Sequence, residues 1–231
     1  MTDVALNLSE IHEGIDRAAR KSGRRAEDIR LVCVSKTFSA DRVRLAYDEG
    51  ERDFGENRVQ EYLEKKKNMP ENCNWHIIGR LQTNKVKFII NNVYLLHSLD
   101  RMNLAEELQK ELAKAGMTMD VLLQVNTAGE ETKAGFSPEE FPYMAEKIAG
   151  MENIRVKGIM TVAPFTDDRE YLKGVFVRTK QLFDNLKKEN YSNFDCRWLS
   201  MGMSGDYDIA IGAGANMVRI GSAVFGSRIY K

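Results

Sequence analysis

Lys36 closes the apolar run LVCVSK, residues 31–36. An ammonium ion set against a core strand is costly unless a partner or a reaction uses it. Leu31 to Val34 reads as a buried strand, and Ser39 opens a helical pattern with Val43, Ala46 and Tyr47 on one face and Gly50 as its stop. Two further stretches complement that lysine chemically. In SMGMSGD, Ser200, Met201 and Gly202 sit at a strand end, followed by Ser204 as a cap and a helix through Asp206, Ile209 and Ala210. Free backbone N–H groups and a helix dipole at such a junction attract anions. RIGS adds the cation Arg219 and the small residues Gly221 and Ser222. A strand-end lysine facing a phosphate-type loop suggests an imine-forming amine, because desolvation would lower its pKa and expose the nucleophilic lone pair. The ligand would be an aldehyde bearing a phosphate, or a phosphorylated sugar.

Each of these residues also has a purely structural reading. Lys36 could keep its head in water; His76, in WHIIGRLQTNK, could be a hydrogen-bonded core histidine; Asn57, in FGEN, could cap the next helix. Arg219 could pair with Asp206 or Asp208, and Met160, Met201 and Met203 read as core filler. Convergence on one rim is what favours the functional reading.

The elements needed to build that rim alternate. After an amphipathic helix carrying Leu8, Ile11, Ile15 and Ala18, strands are predicted near 31–35, 52–56, 75–79, 93–97, 120–126, 156–162, 197–201 and 217–221. Between them lie helical patterns, including 101–115 with its stop at Gly116 and 167–190 with Leu172, Phe176, Phe183 and Leu186. Ser137, Pro138 and Glu140 form a predicted capping box with a first-turn proline. The charged run Glu64 to Lys67 reads as a solvated helix face. Eight strands with helical crossovers predict an α/β fold, a (β/α)8 barrel with chemistry at the strand C-termini; an open doubly wound sheet is the alternative.

Composition excludes several classes. Lys plus Arg and Asp plus Glu both number 34, so no global field draws in nucleic acid or a membrane surface. Cys33, Cys73 and Cys196 are far apart, which fits free thiols in a reducing compartment, and His12, His76 and His97 share no metal-ligand spacing with them. The N-terminus has acids where a signal peptide needs a basic region, and no apolar run approaches the roughly 20 residues that span a bilayer. A cytoplasmic globular protein of one domain, residues 1–231, is expected.

The stretches LVCVSKT, FGENRVQE, WHIIGRLQTNK, HSLD, VNTAGEETKAGF, VKGIMTVAP, LSMGMSGDYDIAI and MVRIGSAVFGSR together resemble the pyridoxal 5′-phosphate (PLP) homeostasis proteins, over roughly residues 30–230. The resemblance implies a barrel of the alanine-racemase N-terminal type, preceded by an extra helix, with PLP at the strand C-terminal rim. It implies that Lys36 forms the internal aldimine and that Ser200, with the backbone of Met201, Gly202 and Ser204, holds the phosphate together with Gly221 and Ser222. Arg219 would face the pyridine nitrogen, and Asn57 and His76 would line the ring pocket. A permanent cation disfavours protonation of that nitrogen and weakens the cofactor as an electron sink. PLP racemases add a β-rich domain, and a partner subunit supplies a second base. This sequence closes at Lys231, soon after the eighth strand, so neither is expected here. The implied role is a PLP carrier, monomeric and without catalysis of its own, that serves apo PLP-dependent enzymes. Lys133 would take part in exchange or simply be exposed. A racemase-like enzyme and a cofactor-free Schiff-base aldolase are the alternatives.

Overall fold

The computed structural model describes residues 3–130 and 132–226; the terminal SRIYK segment lies outside them. The chain begins with α1 (Val4–Lys21), whose N-terminal N–H groups are accepted by the Asp3 carboxylate. Its apolar stripe of Leu8, Ile11, Ile15 and Ala18 is buried. Then follow β1 (Arg30–Val34), α2 (Ala40–Asp48), β2 (Asp53–Glu56), α3 (Val59–Lys66), β3 (Asn74–Ile77), β4 (Leu95–Leu99) and α4 (Met102–Ala115). The second half comprises β5 (Met119–Gln124), α5 (Phe141–Ala149), β6 (Ile154–Met160), α6 (Arg169–Lys188), β7 (Phe194–Ser200), α7 (Tyr207–Gly212), β8 (Met217–Ile220) and α8 (Ser222–Phe225).

All eight strands pair in parallel and in sequence order, and β8 returns to β1 with Val32 opposite Arg219, which closes the barrel. The open-sheet alternative is thereby excluded. One crossover departs from the expected helix: β3 and β4 are joined by a 3₁₀ segment, Thr83–Phe88. Of the predicted box, the Glu140 N–H donates to Ser137 Oγ at 3.2 Å, while the Glu140 carboxylate accepts from the Ser137 hydroxyl at 2.9 Å; the pair closes a turn, and α5 starts only at Phe141.

Period-two alternation divides the core into two layers. Leu31 and Cys33 pack outward beneath the helices, whereas Val32 joins Leu95, Leu122, Met160 and Met217 inside the barrel, with Trp198 against them. The outer layer is larger and includes Leu104, Leu108, Leu112, Phe176 and Phe183. Close approach of strands is decided at Gly158, where φ is +140° and an added Cβ would lie 1.9 Å from the Trp198 carbonyl oxygen. The apolar plug leaves both ends of the barrel interior to polar side chains.

Candidate functional site

Lys36 stands two residues past the end of β1, half-buried, on the wall of a cavity of about 430 Å3. The loop after β7 contributes Ser204 and Asp206 to the same cavity, and β8 with its loop contributes Arg219, Gly221 and Ser222. Phe38 and Leu172 supply apolar walls, and Phe165 stands fully exposed at the edge. The lysine, the arginine and the small-residue loops, scattered over almost 190 positions of sequence, therefore share one space.

The turn that carries Lys36 is held from behind. Thr37 adopts φ +70°, a conformation that a β-branched residue rarely takes. Its N–H donates to Glu61 at 2.8 Å, and the Ser35 carbonyl accepts from Lys65 Nζ at 2.7 Å. Lys65 also contacts Glu56 at 2.6 Å, and Ser35 Oγ donates to the same carboxylate oxygen at 2.6 Å. Glu56 and Lys65 are both buried. Burial pushes the Glu56 carboxyl up to about 7, outweighing the opposing pull of Lys65 and Ser35. Lys65 thus corrects the reading of residues 64–67 as a solvated face. The fully buried Tyr62, not only Val59 and Leu63, sets the inward stripe, and Lys65 follows Tyr62 at helical spacing.

The two rim loops meet over the cavity. Ser204 is not the cap of α7; its Oγ accepts from Ser222 Oγ at 3.1 Å and from the Ala223 N–H at 3.4 Å. Asp206 occupies the position before α7 and accepts from the Met203 N–H. Gly202 has φ +94°, and a Cβ there would come within 2.7 Å of Ala210 Cβ, so the turn into α7 demands glycine. Gly221 lies against the end of β1, where a Cβ would sit 3.0 Å from the Val34 carbonyl oxygen.

Arg219 pairs directly with neither Asp206 nor Asp208; Asp208 pairs with Arg169 at 2.6 Å. The buried guanidinium donates to Ser200 Oγ at 2.7 Å and to the Thr161 carbonyl at 2.8 Å. Burial lowers its pKa to about 10, which leaves it cationic at neutral pH. Ser200 and Met201 are fully buried beneath the loop. His76 is also fully buried and lies between Asp53 and His97, away from the cavity wall. Asn57 borders a separate opening of about 620 Å3 with Arg58, Arg80, Lys85 and Arg101, and it is not the cap of α3, whose preceding residue is Arg58. Asn57 and His76, expected to line the ring pocket, do not stand on the wall of the Lys36 cavity: Asn57 follows β2, the neighbour of β1, and faces the adjoining opening, while His76 points into the barrel interior.

Lys133 forms an ion pair with Glu130 instead of standing alone in solvent. Burial raises the thiols of Cys33, Cys73 and Cys196, the last to about 11, so none is an activated nucleophile. Sequence reasoning missed Lys65, Glu61, His97 and Asp53. For His97 the available signal was its two-residue spacing from Leu95 within the strand LLHSL, which puts it on the Leu95 face.

The alanine racemase N-terminal domain family matches residues 6–229. The pyridoxal phosphate homeostasis protein of Aquifex aeolicus is 42% identical, over 96% of this chain and 97% of its own length. That of Pseudomonas aeruginosa is 38% identical, over 100% of this chain and 98% of its own. Among solved structures, PipY of Synechococcus elongatus with PLP bound superposes with a TM-score of 0.83 at 28% identity, covering 96% of this chain and 100% of that one. An alanine racemase of Clostridium difficile shares the fold, with a TM-score of 0.77 at 18% identity over 99% of this chain and 57% of its own. The chain belongs to the pyridoxal phosphate homeostasis protein family, built on the alanine racemase N-terminal domain.

Proposed function

We propose that this protein holds PLP at the carboxyl end of its barrel, with Lys36 as the covalent tether, and that it contributes to PLP homeostasis without turning over a substrate of its own. The observation that carries the reading is the shared cavity of Lys36, Arg219 and the Ser204–Ser222 loops. Its volume, about 430 Å3, suits a small cofactor. Bound PLP supplies an aldehyde that condenses reversibly with a primary amine.

Lys36 provides that amine on a turn fixed by Glu61 and Lys65. The hydroxyls of Ser204 and Ser222 and the glycine-lined backbone of both loops provide hydrogen-bond donors for a phosphate. Arg219 presents a guanidinium that donates and never accepts, which suits an unprotonated ring nitrogen. The remaining ionisable groups on the wall serve poorly as a proton-transfer partner. Asp206 accepts the Met203 N–H and Asp167 is exposed. No histidine or tyrosine lines the cavity among the described residues. That absence of a positioned base supports holding over turnover.

In the same reading, residues 1–231 act as one cytoplasmic, monomeric domain that passes PLP to apo-enzymes; no helix among the described residues is long and apolar enough to cross a membrane. The decisive experiment is absorption spectroscopy of purified protein followed by borohydride reduction and peptide mapping. A visible band that collapses on reduction, with the added mass on Lys36, is the expected result, and Lys36→Ala should abolish both. Reduction that traps nothing on Lys36 overturns the tether. Substantial amino-acid racemisation that vanishes in Lys36→Ala overturns the non-catalytic role.

A further inference from the structure

A continuous line of side chains crosses the barrel interior from the strand beginnings to the rim. Arg30, the first residue of β1, pairs with Asp53, the first of β2, at 2.7 Å. Asp53 Oδ1 lies 2.8 Å from His76 Nε2, and His76 Nδ1 lies 2.9 Å from His97 Nε2. His97 Nδ1 lies 3.2 Å from Ser200 Oγ, which accepts from Arg219 at 2.7 Å. His76, His97 and Ser200 are fully buried, and Arg219 nearly so.

With both buried imidazoles neutral, the two ends fix the direction of every bond. An ionised carboxylate only accepts, so His76 Nε2 carries a hydrogen toward Asp53. A guanidinium only donates, so Ser200 Oγ must accept from Arg219. The one hydroxyl hydrogen of Ser200 is then directed to His97 Nδ1. His97 donates from Nε2 to His76 Nδ1, and both rings are neutral with hydrogen on Nε2. Burial holds both imidazoles below their ordinary pKa, in agreement with that arrangement. Each internal donor meets one acceptor, which leaves the chain a single polarity.

We infer that Ser200, His97, His76 and Asp53 are positioning residues that orient Arg219, and that the Ser200 hydroxyl is committed to this chain and not to the ligand's phosphate. This deepens the PLP reading and rests on it for the ligand that Arg219 faces. It reassigns Ser200, which family resemblance placed on the phosphate, and it gives buried His76 a role that needs no contact with the cavity. The phosphate is left to Ser204, Ser222 and the loop backbone.

Two measurements test it. The first needs no ligand: long-range 15N–1H spectra of the protein, which has three histidines. His76 and His97 are expected as Nε2–H tautomers that do not titrate between about pH 6 and 8, around the ordinary histidine value, while His12 does. Ser200→Ala and the remote, near-isosteric Asp53→Asn should both broaden the Arg219 guanidinium resonances. An Nδ1–H tautomer at His97, or an Arg219 signal unchanged in both variants, overturns the chain. The second compares PLP with pyridoxal, which lacks the phosphate. Ser200→Ala should weaken both by the same factor, about tenfold for a hydrogen bond to a charged group. A loss confined to PLP returns Ser200 to the phosphate and overturns its commitment to the chain. If the wild-type protein binds neither compound, the PLP reading fails while the spectra still decide the chain.

Discussion

Two cations reach the same cavity, and the barrel holds them by opposite means. Lys36 sits on a strained turn clamped from outside the barrel by charge: Lys65 grips the Ser35 carbonyl and Glu56, and Glu61 grips the Thr37 N–H. Arg219 is held from inside by a line of neutral groups that reaches a charge only at Asp53. A buried ion pair is held by strong attraction against a large desolvation cost, so losing one partner is severe. A neutral hydrogen-bond chain costs less to bury and gives direction more than strength. The first suits a turn that must stay strained, and the second suits a planar group that must stay oriented.

The largest expected effect comes from breaking the charged clamp. Lys65→Met leaves Glu56 buried without its partner and should cost about 3–5 kcal/mol in urea unfolding. Adding Glu56→Gln should recover much of that loss. A Lys65→Met cost below about 1 kcal/mol would show that the pair is solvated and the contrast misplaced.

Acid sharpens the contrast, because the two regions have opposite pH slopes. His76 and His97 are held below their ordinary value, so the folded state binds fewer protons than the unfolded chain, and stability is lost as pH falls below about 6.5. Glu56, held up to about 7 from 4.5, keeps a proton that the unfolded chain releases, so its contribution falls as pH rises across that interval. Two histidines against one carboxyl leave a net loss of stability on acidification below about pH 6.5. Glu56→Gln should steepen that slope and His97→Gln should flatten it in denaturation series between about pH 5 and 6.5. Identical slopes in all three proteins would refute the assignment. His12, raised by its hydrogen bond to Glu51, titrates above this window.

The smallest effect concerns the strain itself. Thr37→Gly accepts φ +70° freely and should change stability by no more than about 1 kcal/mol, relief of strain being offset by the freer unfolded chain. Its sharper readout is Lys36: a looser turn should slow borohydride trapping of added PLP. Unchanged trapping would mean that Glu61 and Lys65 fix the lysine without help from the strain.

The sequence by itself determined the eight strands, their parallel order and the identity of the rim groups at Lys36, Ser204, Arg219, Gly221 and Ser222, because hydrophobic period and turn chemistry are local properties. Motif resemblance reached the cofactor. Tertiary structure alone decided which polar residues face one another. Lys65 looked solvated until Tyr62 set the inward face of α3. His76 offered a core reading and a pocket reading, and barrel closure supplied the partners on either side of its ring, Asp53 and His97. Ser204 and Ser222, 18 positions apart, became one lip only when β7 and β8 lay side by side. Partners of this kind come from separate strands, and no local spacing encodes which buried donor will meet which acceptor once the barrel has closed.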